Sequence, residues 1–302
     1  MATSSRDLPI VGDSFNVGYR FQRYWDWPMA NAFFCGELGA GIFLVAAALN
    51  FMPGMLLGLL VTCVLKSYFH LSHMGVPSKS WRAIMRPDRS WISRGLWSIV
   101  FYAGFGFAYL ALAWLGLGES MGLSAGLVGL FKALAMLAAL VVSTYQGFAM
   151  SHSTAIALWS TGMMPVSSLA YALTGGVMVN LVIGSGSVLA ADPALRANLV
   201  TAGLVMFVLL AIVHLSLLHA GHHGSPGGRK SVELLTRGFY AQWYWGVTWA
   251  LGIIVPGFLL WSAGGSFAAV LIAAVAALVG YYSFRQLIFK AGLFEPIMSF
   301  RP

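Results

Sequence analysis

Glu37 stands in the oily run CGELGAG, residues 35–41, and His70 and His73 stand three apart at the end of a second oily run. A carboxylate inside a membrane-depth segment is costly when ionised and unpaired. Glu37 is therefore expected to face the protein interior, either protonated or with a hydrogen-bonding partner, as a tie between helices or as a group that handles protons or contacts a ligand. The glycines at 36, 39 and 41 remove bulk beside it and admit another helix or a flat ligand. His70 and His73 point to nearby faces of one last helical turn. A neutral imidazole offers one donor and one acceptor and changes charge near neutral pH. A quinone headgroup needs such partners, because its carbonyl oxygens accept hydrogen bonds and two protons move with its two electrons. Histidines at a membrane boundary also serve as snorkelling or helix-capping residues. Trp27, at the start of the Glu37 segment, and Asn31, one turn further on, complete the candidate set.

A second group comes after the histidines. In HLSHMGVPSKSWRAIMRPDRSWISRG, residues 70–95, Arg82, Arg86, Arg89 and Arg94 alternate with Trp81 and Trp91. This pattern reads as ordinary flanking positive charge with interfacial Trp anchors, or as a docking surface for an acidic partner. YRFQRYWDWP, residues 19–28, reads as a surface segment with its aromatic rings at headgroup level, and its Asp26 either pairs with an arginine or stays solvated. Cys35 and Cys63 are the only cysteines, with no paired spacing for zinc or an iron-sulfur cluster. His152, Trp159, Asn180 and Lys132 are further polar or aromatic groups to which no chemical role is assigned.

The elements that position these groups follow from composition. The chain has 302 residues, 59% hydrophobic and only 9% charged, with a mean hydropathy of +0.80, far from the roughly 25% charged of soluble domains. Eight apolar runs are long enough to cross a bilayer, at 27–50, 54–73, 93–115, 123–147, 163–189, 197–219, 242–262 and 266–288. The expected fold is an all-α integral membrane protein. Residues 1–26 lack the apolar run and cleavage site of a signal peptide, so the first span is expected to direct insertion.

The net charge of +8 is concentrated in a few connections and does not point to nucleic acid. Lys79, Arg82, Arg86, Arg89, Arg229, Lys230, Arg237, Arg285, Lys290 and Arg301 fall on the side of the two termini, against Glu119, Asp192 and Arg196 opposite. The positive-inside rule then places the termini and basic loops in the cytoplasm.

The chain also resembles itself. His214-Leu215-Ser216 follows His70-Leu71-Ser72 at an offset of 144, and Thr236-Arg237-Gly238 follows Ser93-Arg94-Gly95 at 143. Duplication would give two side-by-side four-helix bundles of the same orientation. The expected organisation is an interfacial segment 1–26, a first bundle 27–147 with the candidate site, a connector 148–162, a second bundle 163–288 and a tail 289–302. Haem between His70 and His214 is disfavoured, because the repeat puts them in separate bundles. A transporter with a midplane carboxylate and a passive tether are the alternatives to a quinone-reactive subunit.

HMGVPSKSWRAIMRPDRSWISRG resembles the histidine-leucine-glycine, proline, serine-arginine pattern after the second helix of the polysulfide reductase membrane-subunit (NrfD-like) family, which includes the DMSO reductase anchor. AIALWSTGMMPVSSLAYALTGG resembles the start of that family's fifth helix, and TRGFYAQWYWGVTWALGIIVPGFLLW its seventh. The resemblance implies an eight-helix anchor in a bacterial inner membrane that binds menaquinone or ubiquinone. It implies docking with a ferredoxin-like iron-sulfur subunit and, through it, a molybdopterin catalytic subunit, with no haem or cluster in this chain. It also puts His73 at the position of the family's quinone-contacting histidine. One position departs: the DMSO reductase branch carries a carboxylate after its serine-arginine, where this chain has Gly95, so a proton role from that branch does not carry over and Glu37 becomes the local candidate.

Overall fold

The computed structural model describes residues 19–294. Within them lie eight long apolar helices: α1 Trp27–Ala48, α2 Met52–His73, α3 Trp91–Ala113, α4 Ala125–Ser151, α5 Met163–Ile183, α6 Pro193–Gly224, α7 Trp243–Ala263 and α8 Phe267–Lys290. Serines at 90, 124 and 266 cap the starts of α3, α4 and α8 by accepting a backbone N–H three residues on. The carboxylate of Asp192 caps α6 in the same way, with Pro193 at the first helical position.

The two bounds that differ most from expectation do so for local reasons. The α5 helix ends at Ile183 because Gly-Ser-Gly-Ser follows at 184–187, residues that favour turns over helix. The α6 helix runs on to Gly224 and has 32 residues, so it is about 48 Å long against roughly 30 Å of hydrocarbon. Its polar end therefore projects beyond the oily layer, where hydropathy stops reporting it.

The α1 helix is central. In its most apolar stretch 89% of residues are buried, against 22% for α3 and α4. It is apolar all round, as a helix enclosed by others must be, and packs on α2, α4, α5 and α8. At its crossing with α5, Gly41 lies against the Ala172 backbone and Gly176 against the Gly41 carbonyl, leaving no space for a Cβ at either glycine. The Asn180 side chain locks this crossing by donating to the carbonyls of Ile42 (3.1 Å) and Gly176 (2.8 Å).

The two ends of the described region meet at one face of the molecule. A strand β1, Arg20–Phe21, pairs antiparallel with β2, Leu293–Phe294. The Gln22 side chain donates to the carbonyls of Trp25 and Phe289, and Trp25 stacks on the buried Trp159 at 5.2 Å. The 19–28 segment is thus only partly the expected surface belt: Tyr24 and Trp27 are exposed, whereas Gln22 is buried and Trp25 packs inward.

Candidate functional site

Glu37 is completely buried, and its partners come from the far half of the chain. Its Oε2 lies 2.7 Å from Arg285 Nη2 and accepts a hydrogen bond from the Tyr281 hydroxyl at 2.5 Å, both on α8. Arg285 is also fully buried and donates to Ser168 Oγ of α5 at 3.2 Å. Glu37 Oε1 and Arg285 Nε and Nη1 remain buried without a protein partner, and leaving such groups unpaired is expensive. A polar chain extends from the pair: Tyr171 of α5 stacks on Tyr281 at 4.4 Å, its hydroxyl lies 2.6 Å from His214 Nε2, and His214 Nδ1 lies 2.9 Å from the Tyr244 hydroxyl. The arginine is the partner that the carboxylate requires. As a loop cation, the reading given it by charge counting, Arg285 is corrected: it is inside α8 and carries no topological information. Arg301 lies outside the described residues.

The second polar group is Lys66, also buried. Residues Val61–Lys66 form a widened π turn within α2, whose inward side chains are Thr62 and Lys66. The Lys66 stem lies against Gly36, where a Cβ would come within 2.7 Å of its Cδ. Its Nζ donates to Gln146 Oε1 at 3.1 Å and sits 5.2 Å from the Tyr145 ring centre, while Gln146 donates to the Phe33 carbonyl at 3.3 Å.

Lys66 also lines a cleft of about 230 Å³ between the end of α2, the short helix Pro77–Met85 and the start of α3. Its walls are mostly apolar, with Ile84, Ile92, Leu96 and Ile99 among them, and its polar groups include His70, Lys66 and Tyr145. His70 Nδ1 is buried there without a hydrogen-bonding partner. His73 points elsewhere: its Nδ1 lies 3.0 Å from Asp26 Oδ1, tying the end of α2 to the start of α1 at the surface. Trp27 packs edge-on against Phe69 and is exposed, and Asn31 accepts from Gln286 of α8 at 3.4 Å. Neither lines the cleft.

The basic loop divides into two parts. Arg82, Arg86 and Arg89 are exposed, with Asp88 near the latter two at 3.3 and 3.2 Å. Trp91 and Arg94 have internal partners. Trp91 stacks on Phe148 at 4.4 Å and donates to His152 Nε2 at 3.2 Å, and Arg94 donates to the carbonyls of Pro87 and Asp88. The residue after Arg94 has a packing reason of its own: Gly95 lies directly under the Tyr145 ring, so no side chain fits there. Gly95→Ala is expected to cost about 1–3 kcal/mol by overpacking, seen as a lowered unfolding midpoint in detergent; an unchanged midpoint would show that the ring moves aside freely.

Charge reading at the sequence level missed Arg285, Tyr281, Ser168, Lys66 and Gln146. A signal for Arg285 existed, since it is an arginine within the run 266–288 in a chain that also buries a carboxylate. For the two hydroxyl residues and Gln146 no comparable signal existed. Among the described residues no three His, Cys, Asp or Glu side chains come together to hold a metal ion.

Eight apolar helices around a buried ion pair, with a cleft under a basic loop, define a multi-pass membrane protein. The chain matches the family model described as polysulphide reductase, NrfD, over residues 16–296, and it belongs to that family. NrfD proteins are membrane subunits of oxidoreductase complexes. No curated protein matches the chain.

Proposed function

We propose that this chain is the quinone-reactive membrane subunit of a complex whose iron-sulfur and molybdopterin subunits dock on the face that carries Arg82, Arg86 and Arg89. The observation that supports it best is His70, a buried ring nitrogen without a partner at the wall of a mostly apolar cleft beneath that face. The residues fit the group. His70 and the Lys66 ammonium would hold the oxygens of a menaquinone or ubiquinone headgroup, and Ile84, Ile92, Leu96 and Ile99 would enclose its ring and tail. Bound quinone supplies a carrier of two electrons and two protons.

His73, partly exposed and paired with Asp26, stands three residues from His70 and would link the cleft to the aqueous surface. Lys66 borders both the cleft and the Gly36 backbone next to Glu37, so a change of charge at the cleft is felt at the Glu37–Arg285 pair. Membership in a family of redox-complex subunits favours this reading over a transporter. We read the helices as two duplicated bundles, α1–α4 and α5–α8, meeting along α1 and α5, the first helix of each. The basic loops are assigned to the cytoplasmic side of a bacterial inner membrane.

Purification of the full chain from its own membranes is expected to bring iron-sulfur companions with it, and recovery of the chain alone would sink the anchor reading. In that complex His73→Ala is expected to lower quinol-linked turnover about tenfold to a hundredfold without loss of the partners. Normal turnover would remove His73 from proton exchange.

A further inference from the structure

A second cleft, of about 440 Å³, occupies the corresponding place in the other half. It lies between the end of α6, the surface helix Pro226–Thr236 and the start of α7. The position matches the His70 cleft, but the lining is different in kind. His219, His222 and His223 line it with Arg237, and their rings lie close together, 4.5 Å between His219 and His223 and 4.9 Å between His222 and His223. The one carboxylate at the wall, Glu233, is already engaged by Lys230 at 3.1 Å. Imidazoles at this separation repel one another once protonated, and an anion among them relieves the repulsion. The wall itself is braced, because Trp245 of α7 donates its indole N–H to the Thr236 carbonyl at 2.9 Å.

The surface below the cleft identifies the anion's attachment. Val205, Val208, Ile212 and Leu215 are all at least half exposed. Their spacing of three, four and three residues puts them in one stripe along α6. Four residues beyond Leu215 the stripe reaches His219, at the end of the helix that projects past the hydrocarbon. Phe239 and Trp243, both exposed and at or just before the start of α7, are aromatic residues of the kind found at a membrane boundary. A free anion would need the cationic end of this stripe but not its apolar length.

We infer that this cleft binds the phosphate headgroup of an anionic phospholipid whose acyl chain lies along the α6 stripe. Basic recesses between membrane helices suit such headgroups, and each Lys or Arg contributes about a fivefold gain in affinity near the surface. The site is separate from the His70 cleft, and its occupancy does not depend on the quinone reading.

The test is native mass spectrometry of the purified full chain with added phosphatidylglycerol, phosphatidylcholine or inorganic phosphate. Phosphatidylglycerol is expected to be retained in preference to phosphatidylcholine. Arg237→Gln should weaken that retention about fivefold, with Arg237→Lys restoring most of it. The triple variant His219→Ala, His222→Ala, His223→Ala should abolish the preference. If the triple variant fails to fold, the exposed Arg237 pair still decides the question. Equal retention of both lipids, or an undiminished preference in Arg237→Gln, overturns the inference. So does inorganic phosphate that binds with no lipid preference, or zinc that binds with a stoichiometry lost in the same variants.

Discussion

Arg285→Gln is expected to destabilise the protein by about 3–5 kcal/mol, because it leaves the carboxylate of Glu37 buried without its cation. Both groups are fully enclosed, their separation is 2.7 Å, and Tyr281 and Ser168 supply only neutral hydrogen bonds. Glu37→Gln should also be costly, since it strands a guanidinium that cannot give up its charge. The double variant should recover much of the loss, because two amides can share the same neutral partners. Unfolding by SDS titration of mixed micelles gives the four corners of this cycle, and the coupling energy follows from them. Single variants that cost less than about 1 kcal/mol, the range of exposed ion pairs, would show that the pair is solvated in the membrane. The cycle also tests function cleanly. Neither single variant separates a lost proton group from a damaged fold, whereas the double variant is expected to fold and lacks the charges. Its quinol-linked turnover in the intact complex is expected to fall about a hundredfold, and wild-type turnover would make the pair a structural tie.

Much of the architecture is legible from hydropathy alone, because a bilayer admits few alternatives to apolar helices of set length. Hydropathy cannot report which way a side chain points within a span. Arg285 reads as a flanking cation because it lies close to the end of α8 at Lys290, yet the rotation of that helix turns it onto Glu37. Lys66 is hidden by a different effect. A π turn inserts extra residues into the helix, and each one rotates the remainder of the helix by about 100°. No hydrophobic repeat marks this, so spacing placed His70 and His73 on nearby faces without showing that one faces the cleft and the other Asp26. Gly95 is the opposite case. Its identity was plain, and its reason required the ring of Tyr145, distant in the chain and in contact in space.

The face proposed for the partner shows how local charge and local order cooperate. Trp91 and Arg94 anchor the loop on α4 and on its own carbonyls, which leaves Arg82, Arg86 and Arg89 displayed on a braced surface rather than a loose one. Pre-organised side chains lose less entropy on association than mobile ones. The same bracing fixes the roof of the His70 cleft, since Trp81 and Ile84 of the short helix line it. A subunit docked on the exposed arginines would therefore sit directly over the cleft. In the proposed complex that position would bring an iron-sulfur partner close to a quinone held in the cleft.

His70→Ala in the assembled complex is expected to have the largest functional effect of any single substitution on the cleft, a loss of about a hundredfold or more in quinol-linked turnover. The imidazole is the one buried polar group at the wall whose ring nitrogen has no protein partner, so removing it breaks no hydrogen bond of that nitrogen and takes from a ligand the donor or acceptor that it needs there. His70→Gln separates the two contributions: an amide keeps a hydrogen bond to a ligand but has no ring nitrogen to pass a proton to it or take one from it, so KM should stay near wild type while kcat falls. Ile99→Trp provides an independent check, because an indole at the apolar wall fills much of the 230 Å³ without touching the polar groups. It should raise KM for quinol and leave the partner subunits bound. Should all three variants turn over quinol normally with the complex intact, the cleft is a packing defect, and the reactive site must be sought around His73 and Asp26 at the surface end of α1 and α2.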